Sequence, residues 1–279
     1  MAGTVRRAAV AGSWYPGSAH ALAAAVDRHL ASTTRDVDGD LVALIAPHAG
    51  LIYSGPVAAH AYRLLLGRTF DVVVLVGPSH FVGFEGVSVY AGGGYETPFG
   101  VAAIDTATAN ALVEATPVVR EYPAAHAREH SLEMQLPFLQ HLAPGVPIVP
   151  LVMGHQTAAT ASALGAALAS TLQGRRTLIV ASTDLSHYYD AVTAQTLDRV
   201  VIDCVARFDA DALQAALDDR PDHACGGGPT VAVMRAAQAL GATEAVVLQY
   251  ADSGDVSGDK SAVVGYLAAA LGRFARAAS

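Results

Sequence analysis

Apolar residues fall along this chain in short continuous runs, each stopping at a polar or glycine-rich loop. Leu41, Val42, Leu44 and Ile45 form one such run, which ends at Pro47, His48 and Gly50. It reads as a buried strand, then a tight loop holding one histidine, then a helical pattern that resumes near Pro56. The phrase recurs twice. VVVLV (Val72–Val76) leads into GPSH and His80, and LIVA (Leu178–Ala181) leads into STDLSH and His187. Three hydrophobic strands each deliver a histidine just past their last apolar residue. Loops at the carboxyl ends of strands are where open α/β sheets bind ligands, so the repetition marks a site.

Helical spacing fills the intervals. An amphipathic helix is expected from about Ser18, as N-cap, to Ala31, and another from Asp105 to about Glu114. Further helices are expected over Thr157–Leu172, Val192–Phe208, Ala210–Leu217 and Val231–Leu240. GFEGVSVY alternates like a strand, AGGGYETPFG suggests a hairpin, and PIVPLVMG and Ala245–Tyr250 read as strands. SAVVGYLAAAL closes the chain as a strand or a helix. EHSLEMQLPFLQHL (Glu129–Leu142) reads as a helix capped by Ser131, with Leu132, Leu136 and Leu139 on its apolar face. Glu129, His130, Glu133 and Gln135 crowd polar chemistry onto its first turns, with solvated helix charges as the alternative reading of the two glutamates. Strands alternating with helices predict one α/β domain over residues 1–279, a central mostly parallel or mixed sheet flanked by helices.

Composition narrows the function. With 52% hydrophobic and 15% charged residues, the chain can bury a large core. The net charge is −8, Lys260 is the single lysine, and the arginines are scattered along the sequence. Nucleic-acid binding is not expected, because phosphate neutralisation needs clustered cations. Two cysteines, Cys204 and Cys225, make no disulfide framework. Cys204 falls in a helical apolar pattern and is expected as a core thiol. The N-terminal MAGTVRRAAVAGSWYPG holds no apolar region of signal-peptide length and no stretch approaches a membrane span, so a cytoplasmic protein is expected.

His48 and His80 occupy the most turn-like of the strand-end loops. Cys225 precedes three glycines at a helix start, where the helix N-terminus is expected to lower a thiol pKa. Two imidazoles and one anionic residue, with open positions, are what non-haem Fe(II) needs to bind substrate and O₂. His48, His80 and Cys225 are therefore the expected metal ligands. His187 and His130 are expected in acid–base or hydrogen-bonding roles, and Asp184 as an orienting carboxylate. Tyr53 and Tyr188 either line a pocket or pack in the core. The remaining histidines are expected on the surface or in packing.

GSWYPG, APHAGLIYSG, GPSH, YETPFG, EHSLEMQLPFL, STDLSHY, CGGGP and DSGDVSGDKSAVVGY follow one another from about residue 12 to residue 266. In these phrases and their order the sequence resembles the Memo family, relatives of the class III extradiol dioxygenases. The resemblance implies an α/β fold like that of those enzymes and a metal pocket at His48, His80 and Cys225, with His187 nearby. It also implies an oxidoreductase chemistry in which Fe(II) takes a catechol-like substrate and O₂. A histidine then serves as base and acid; His187 matches that role, with His130 on the O₂ side. The extradiol enzymes use a glutamate as third ligand where this chain has Cys225. A thiolate is softer and oxidisable, which brings in copper and zinc beside iron. Two other readings stay open: a non-catalytic metal or redox-binding protein that keeps the pocket, and a hydrolase using Cys225 with His187 or a zinc ion. By family analogy, AMMECR-type and radical-SAM proteins are expected partners, with an oligomer open. The polar loop Ala251–Lys260 is expected to be a lid or a subunit contact.

Overall fold

The computed structural model of the chain describes residues 4–33 and 37–275. Up to the first short hairpin the elements are β1 (Val5–Arg6), α1 (Ala19–Ala31), β2 (Gly39–Ala46), α2 (Leu51–Tyr62), β3 (Val72–Pro78) and β4 (Val87–Val89). The hairpin is β5 (Gly94–Thr97) and β6 (Gly100–Ala103), followed by α3 (Thr106–Ala115), β7 (Val119–Glu121) and α4 (Leu136–Leu142). Next come β8 (Ile148–Met153), α5 (Ala158–Leu172), β9 (Thr177–Ser182), β10 (His187–Tyr189), α6 (Ala191–Ala206) and α7 (Ala210–Asp219). The chain closes with α8 (Gly227–Ala239), β11 (Glu244–Asp252), the single turn α9 (Gly254–Ser257) and β12 (Val263–Phe274).

The uninterrupted apolar runs become central strands because both faces of the sheet are covered. Val72, Val74 and Val76 enter one core, while Val73 and Leu75 of the same strand enter the other. The first core packs under α3, α5, α6, α7 and α8, with Leu112, Leu164, Val201, Leu213 and Val231 among its members. The second packs under α1, α2 and α4 through residues such as Leu22, Val57 and Phe138. The strand order is β10-β12-β2-β9-β3-β8-β4-β7, with β11 also paired to β12. β2, β9, β3 and β8 run parallel, whereas β12 is antiparallel to β2, β10 and β11. The fold is thus α/β with a mixed sheet flanked by helices.

Ser18, Asp105 and Thr157 each accept a backbone N–H at a helix start, as their sequence positions suggest. Several boundaries differ from expectation. α2 starts at Leu51, directly after the histidine loop, and tolerates Pro56 within it. α8 starts at Gly227, inside the glycine run, and GFEGVSVY yields only the three-residue β4. The closing segment is a strand, and its twelve residues tie β10, β11 and β2 together. Residues Glu129–Leu142 are not one helix. Pro137 sits in the first turn of α4, a position it favours because its missing N–H is unpaired there anyway. The residues before α4 form a loop and one 3₁₀ turn over Glu133–Gln135. Ser131 caps nothing; its hydroxyl donates to the Pro78 carbonyl at 2.9 Å. The Ala251–Lys260 segment is folded onto itself, with Lys260 Nζ bound to Asp252 and Asp255 at 2.8 and 2.6 Å.

Candidate metal centre

Parallel neighbours β2, β9 and β3 end side by side, and the loops beyond them converge. His48 follows β2, His80 follows β3, and Asp184 follows β9. The loop before α8 brings Cys225 against them. The Cys225 Sγ lies 3.2 Å from His48 Nε2. The donor atoms of His48, His80 and Cys225 all lie within 4.8 Å of one another. Nitrogen and sulfur ligands on one tetrahedral ion sit about 3.3–3.6 Å apart. The spacing and the donor types therefore fit a single thiophilic or borderline cation.

The hydrogen-bond network assigns the proton on each ring. His80 Nδ1 faces the Glu129 carboxylate at 2.9 Å, so it carries the proton and leaves Nε2 as a lone-pair donor. Ser182 spends its single hydroxyl proton on the Ser131 carbonyl at 2.6 Å and accepts the Gln135 amide at 2.7 Å. Its oxygen must then accept from His48 Nδ1, 2.9 Å away, which leaves His48 Nε2 free beside Cys225. Gln135 is held in turn by the Tyr62 hydroxyl at 2.7 Å. Both imidazoles thus keep Nε2 as the nitrogen available for ligation. Burial, reinforced by His80, holds His48 well below the usual imidazole range, so it stays neutral and able to ligate.

Glu129 is the residue whose environment sequence reasoning misread. It is buried and accepts from the His80 backbone N–H at 2.6 Å, from His80 Nδ1, and from the N–H groups of His130 and Ser131, both at 2.9 Å. Burial alone raises its pKa, but those donors outweigh it and bring the carboxyl down to about 2. Glu133 is buried as well, ion-paired to Arg6 and accepting the Tyr15 hydroxyl at 2.6 Å. The proline in α4 was the available signal that EHSLEMQ lies outside the helix, where its charges must find partners of their own.

Asp184 is buried; its Oδ1 accepts the His48 backbone N–H at 2.7 Å, and its Oδ2 lies 4.0 Å from His48 Nε2. Burial raises its pKa. The Cys225 thiol is also pushed up, first by burial and then by the Asp184 charge. Burial and the Asp184 charge outweigh the lowering expected from the helix terminus. The loop is held tightly from both sides. Gln156 donates to the Cys225 carbonyl at 2.7 Å and accepts the Gly228 N–H at 2.7 Å. A Cβ on Gly226 would meet the Ser182 carbonyl at 2.3 Å, which explains a glycine there.

His130 stacks on His80 with ring centroids 4.5 Å apart, and Trp14 packs on His130 at 4.3 Å. Burial, then the neighbouring His48 and His80, bring His130 down to about 4. His187 comes from β10 and approaches from the side, close enough to His48 and Asp184 for their charges to interact. Its Nδ1 donates to the Leu185 carbonyl at 2.8 Å, so Nε2 is the free nitrogen. Tyr188 follows it with φ of 64°, a left-handed conformation rare for an aromatic residue. Tyr188 and Tyr53 are exposed, which removes core packing as their role, and Cys204 is buried in the core. All six expected site residues thus fall in one region. Glu129, Ser182, Gln135 and Trp14 join them.

Strand-end histidines converging with a cysteine on a helix-flanked mixed sheet define the class: an α/β protein with a candidate His/His/Cys metal centre. The chain belongs to the Memo-like protein family, whose model matches residues 6–270. A MEMO1 family protein of Methanothermobacter thermautotrophicus is 38% identical over 272 residues, spanning 94% of this chain and 98% of the relative. One from Methanopyrus kandleri is 39% identical over 275 residues, spanning 94% and 97%. The crystal structure of an uncharacterized protein from Escherichia coli K12 shares the fold. Its TM-score is 0.56 at 17% identity, covering 82% of this chain and 99% of that one. No described helix is long and apolar enough to cross a membrane.

Proposed function

We propose that the protein binds one divalent metal ion through His48 Nε2, His80 Nε2 and Cys225 Sγ, and uses it for dioxygenase-type chemistry on a small phenolic or catecholic compound. The observation that carries this reading is the convergence of those three donors within 4.8 Å, with both imidazole tautomers set for ligation. Fe(II) is the first choice, since three protein donors leave positions open for substrate and O₂. Bound there, the ion would supply Lewis acidity and the electrons that activate O₂. The thiolate in place of a carboxylate makes copper and zinc the competing ions. In this reading His187 is the proton-handling residue, because Nδ1–H is committed to Leu185 and Nε2 is the nitrogen left to exchange a proton. His130, neutral and buried, backs Trp14 and Phe81, whose exposed rings suit contact with an aromatic compound. Asp184 and Glu129 are positioning residues that act through His48 and His80.

The test is anaerobic reconstitution with Fe(II), followed by O₂-electrode readings across a panel of catechols. Stoichiometric O₂ uptake with a ring-opened product, lost in His187→Ala while metal content is retained, is the expected result. Tight metal binding without uptake in the native protein, but with uptake in Cys225→Glu, would instead make this a metal-binding protein in which the cysteine has ended the chemistry.

A further inference from the structure

A cavity of about 470 Å³ opens at the other end of the sheet, among Asp40 at the start of β2, Thr177 at the start of β9, and Arg273 near the end of β12. The candidate metal centre lies past the opposite ends of β2 and β9. Six to eight strand residues separate the two, about 20–26 Å. Four of the chain's seventeen basic residues, Arg68, Arg175, Arg176 and Arg273, line this one opening. The arginines that look scattered in sequence are brought together by the topology, since the segments before β3 and β9 and the end of β12 meet here.

Three of these guanidiniums are paired: Arg273 with Asp40 at 2.8 Å, Arg176 with Asp71 at 2.6 Å, and Arg175 with Asp105 at 3.0 Å. Arg68 donates instead to the backbone carbonyls of Gly39 and Val37. The rim thus gathers four guanidiniums at one opening, on a chain of net charge −8. The Arg273 and Arg176 pairs are largely exposed and screened by water, so an incoming anion can share these forks at little cost. Guanidinium forks match phosphate oxygens two at a time. The remaining wall is apolar: the half-buried Val42, Phe70 and Leu240 offer a surface that a bare phosphate would not use. The volume lies within the range of small-molecule pockets.

We propose that this cavity binds a nucleotide-sized organic phosphate, its phosphates on the arginine rim and its organic part against Val42, Phe70 and Leu240. It stands apart from the His/His/Cys cluster and does not depend on the reading of that cluster. Calorimetric titration of the full chain with ADP, without divalent cations, tests it. One ADP per chain is expected, weakened at least tenfold in the double variant Arg176→Gln/Arg273→Gln. The same weakening is expected in Leu240→Asp, which places a negative charge on the apolar wall. Thermal melting of each variant establishes that it is folded. Absence of ADP binding, binding unchanged in folded variants, or tripolyphosphate binding as tightly as ADP would each overturn the proposal.

Discussion

Replacing Glu129 by glutamine tests how the protein builds its candidate centre. The carboxylate, 1% exposed, accepts four N–H groups: two from His80 and one each from His130 and Ser131. Glutamine keeps the shape but turns one acceptor into an NH₂ donor. If that end faces the His80 backbone, one buried N–H loses its partner; if it faces the other oxygen's position, three do. One unsatisfied buried donor costs about 1–3 kcal/mol. The His80 imidazole also loses the negative charge that orients it and makes Nε2 a better lone-pair donor. Such outer partners of metal-ligating histidines typically change affinity about 10–100-fold, equivalent to about 1.4–2.8 kcal/mol. Glu129→Gln should therefore weaken metal binding by that factor and lower the stability of the metal-free protein by about 1–3 kcal/mol. Competition against a fluorescent chelator measures the first, and urea unfolding the second. Trp14, the single tryptophan, packs on His130 and gives an internal reporter for both. Metal affinity within twofold of the native protein, with the fold intact, would refute the argument that Glu129 prepares His80 for ligation.

Two further outcomes follow from buried groups away from the ligands. Arg6→Met removes the partner of the fully buried Glu133 and should destabilise by about 3–5 kcal/mol, read as a lowered unfolding midpoint in urea. His126 is buried between Ser88 and Tyr95, and burial brings its pKa to about 3. Below about pH 6.5 the unfolded chain takes up a proton there that the folded chain refuses. Stability should fall as pH drops from 6.5 toward 3, with His126 contributing up to about 1.4 kcal/mol per pH unit. Urea unfolding at pH 7, 6 and 5 should show a correspondingly shallower slope for His126→Gln. An unchanged slope would mean that His126 is not kept neutral by the fold.

The central strands were legible in sequence because they are buried on both faces, so each gives a continuous apolar run with a loop at its end. The same runs placed His48 and His80 correctly, since a strand end fixes where the next residues go. His187 was read as a third copy of that phrase, yet β9 delivers Ser182 and Asp184, and the chain needs the β10 pairing with β12 to bring His187 in. Glu129 and Glu133 were misread because their partners, His80 and Arg6, are 49 and 127 residues away. Local pattern carries no trace of such pairs, and charge beside apolar spacing resembles a solvated helix face. The arginine-lined cavity was invisible for the same reason. Its walls come from segments that share no motif and meet only through sheet order.

The most direct test of the metal centre is anaerobic titration with Co(II), followed by absorption spectroscopy, on the native protein beside Cys225→Ser. Saturation at one equivalent, with a thiolate-to-cobalt charge-transfer band that Cys225→Ser lacks, is the predicted result. Absence of the band in the native protein, or an identical spectrum in Cys225→Ser, would contradict a centre formed by His48, His80 and Cys225.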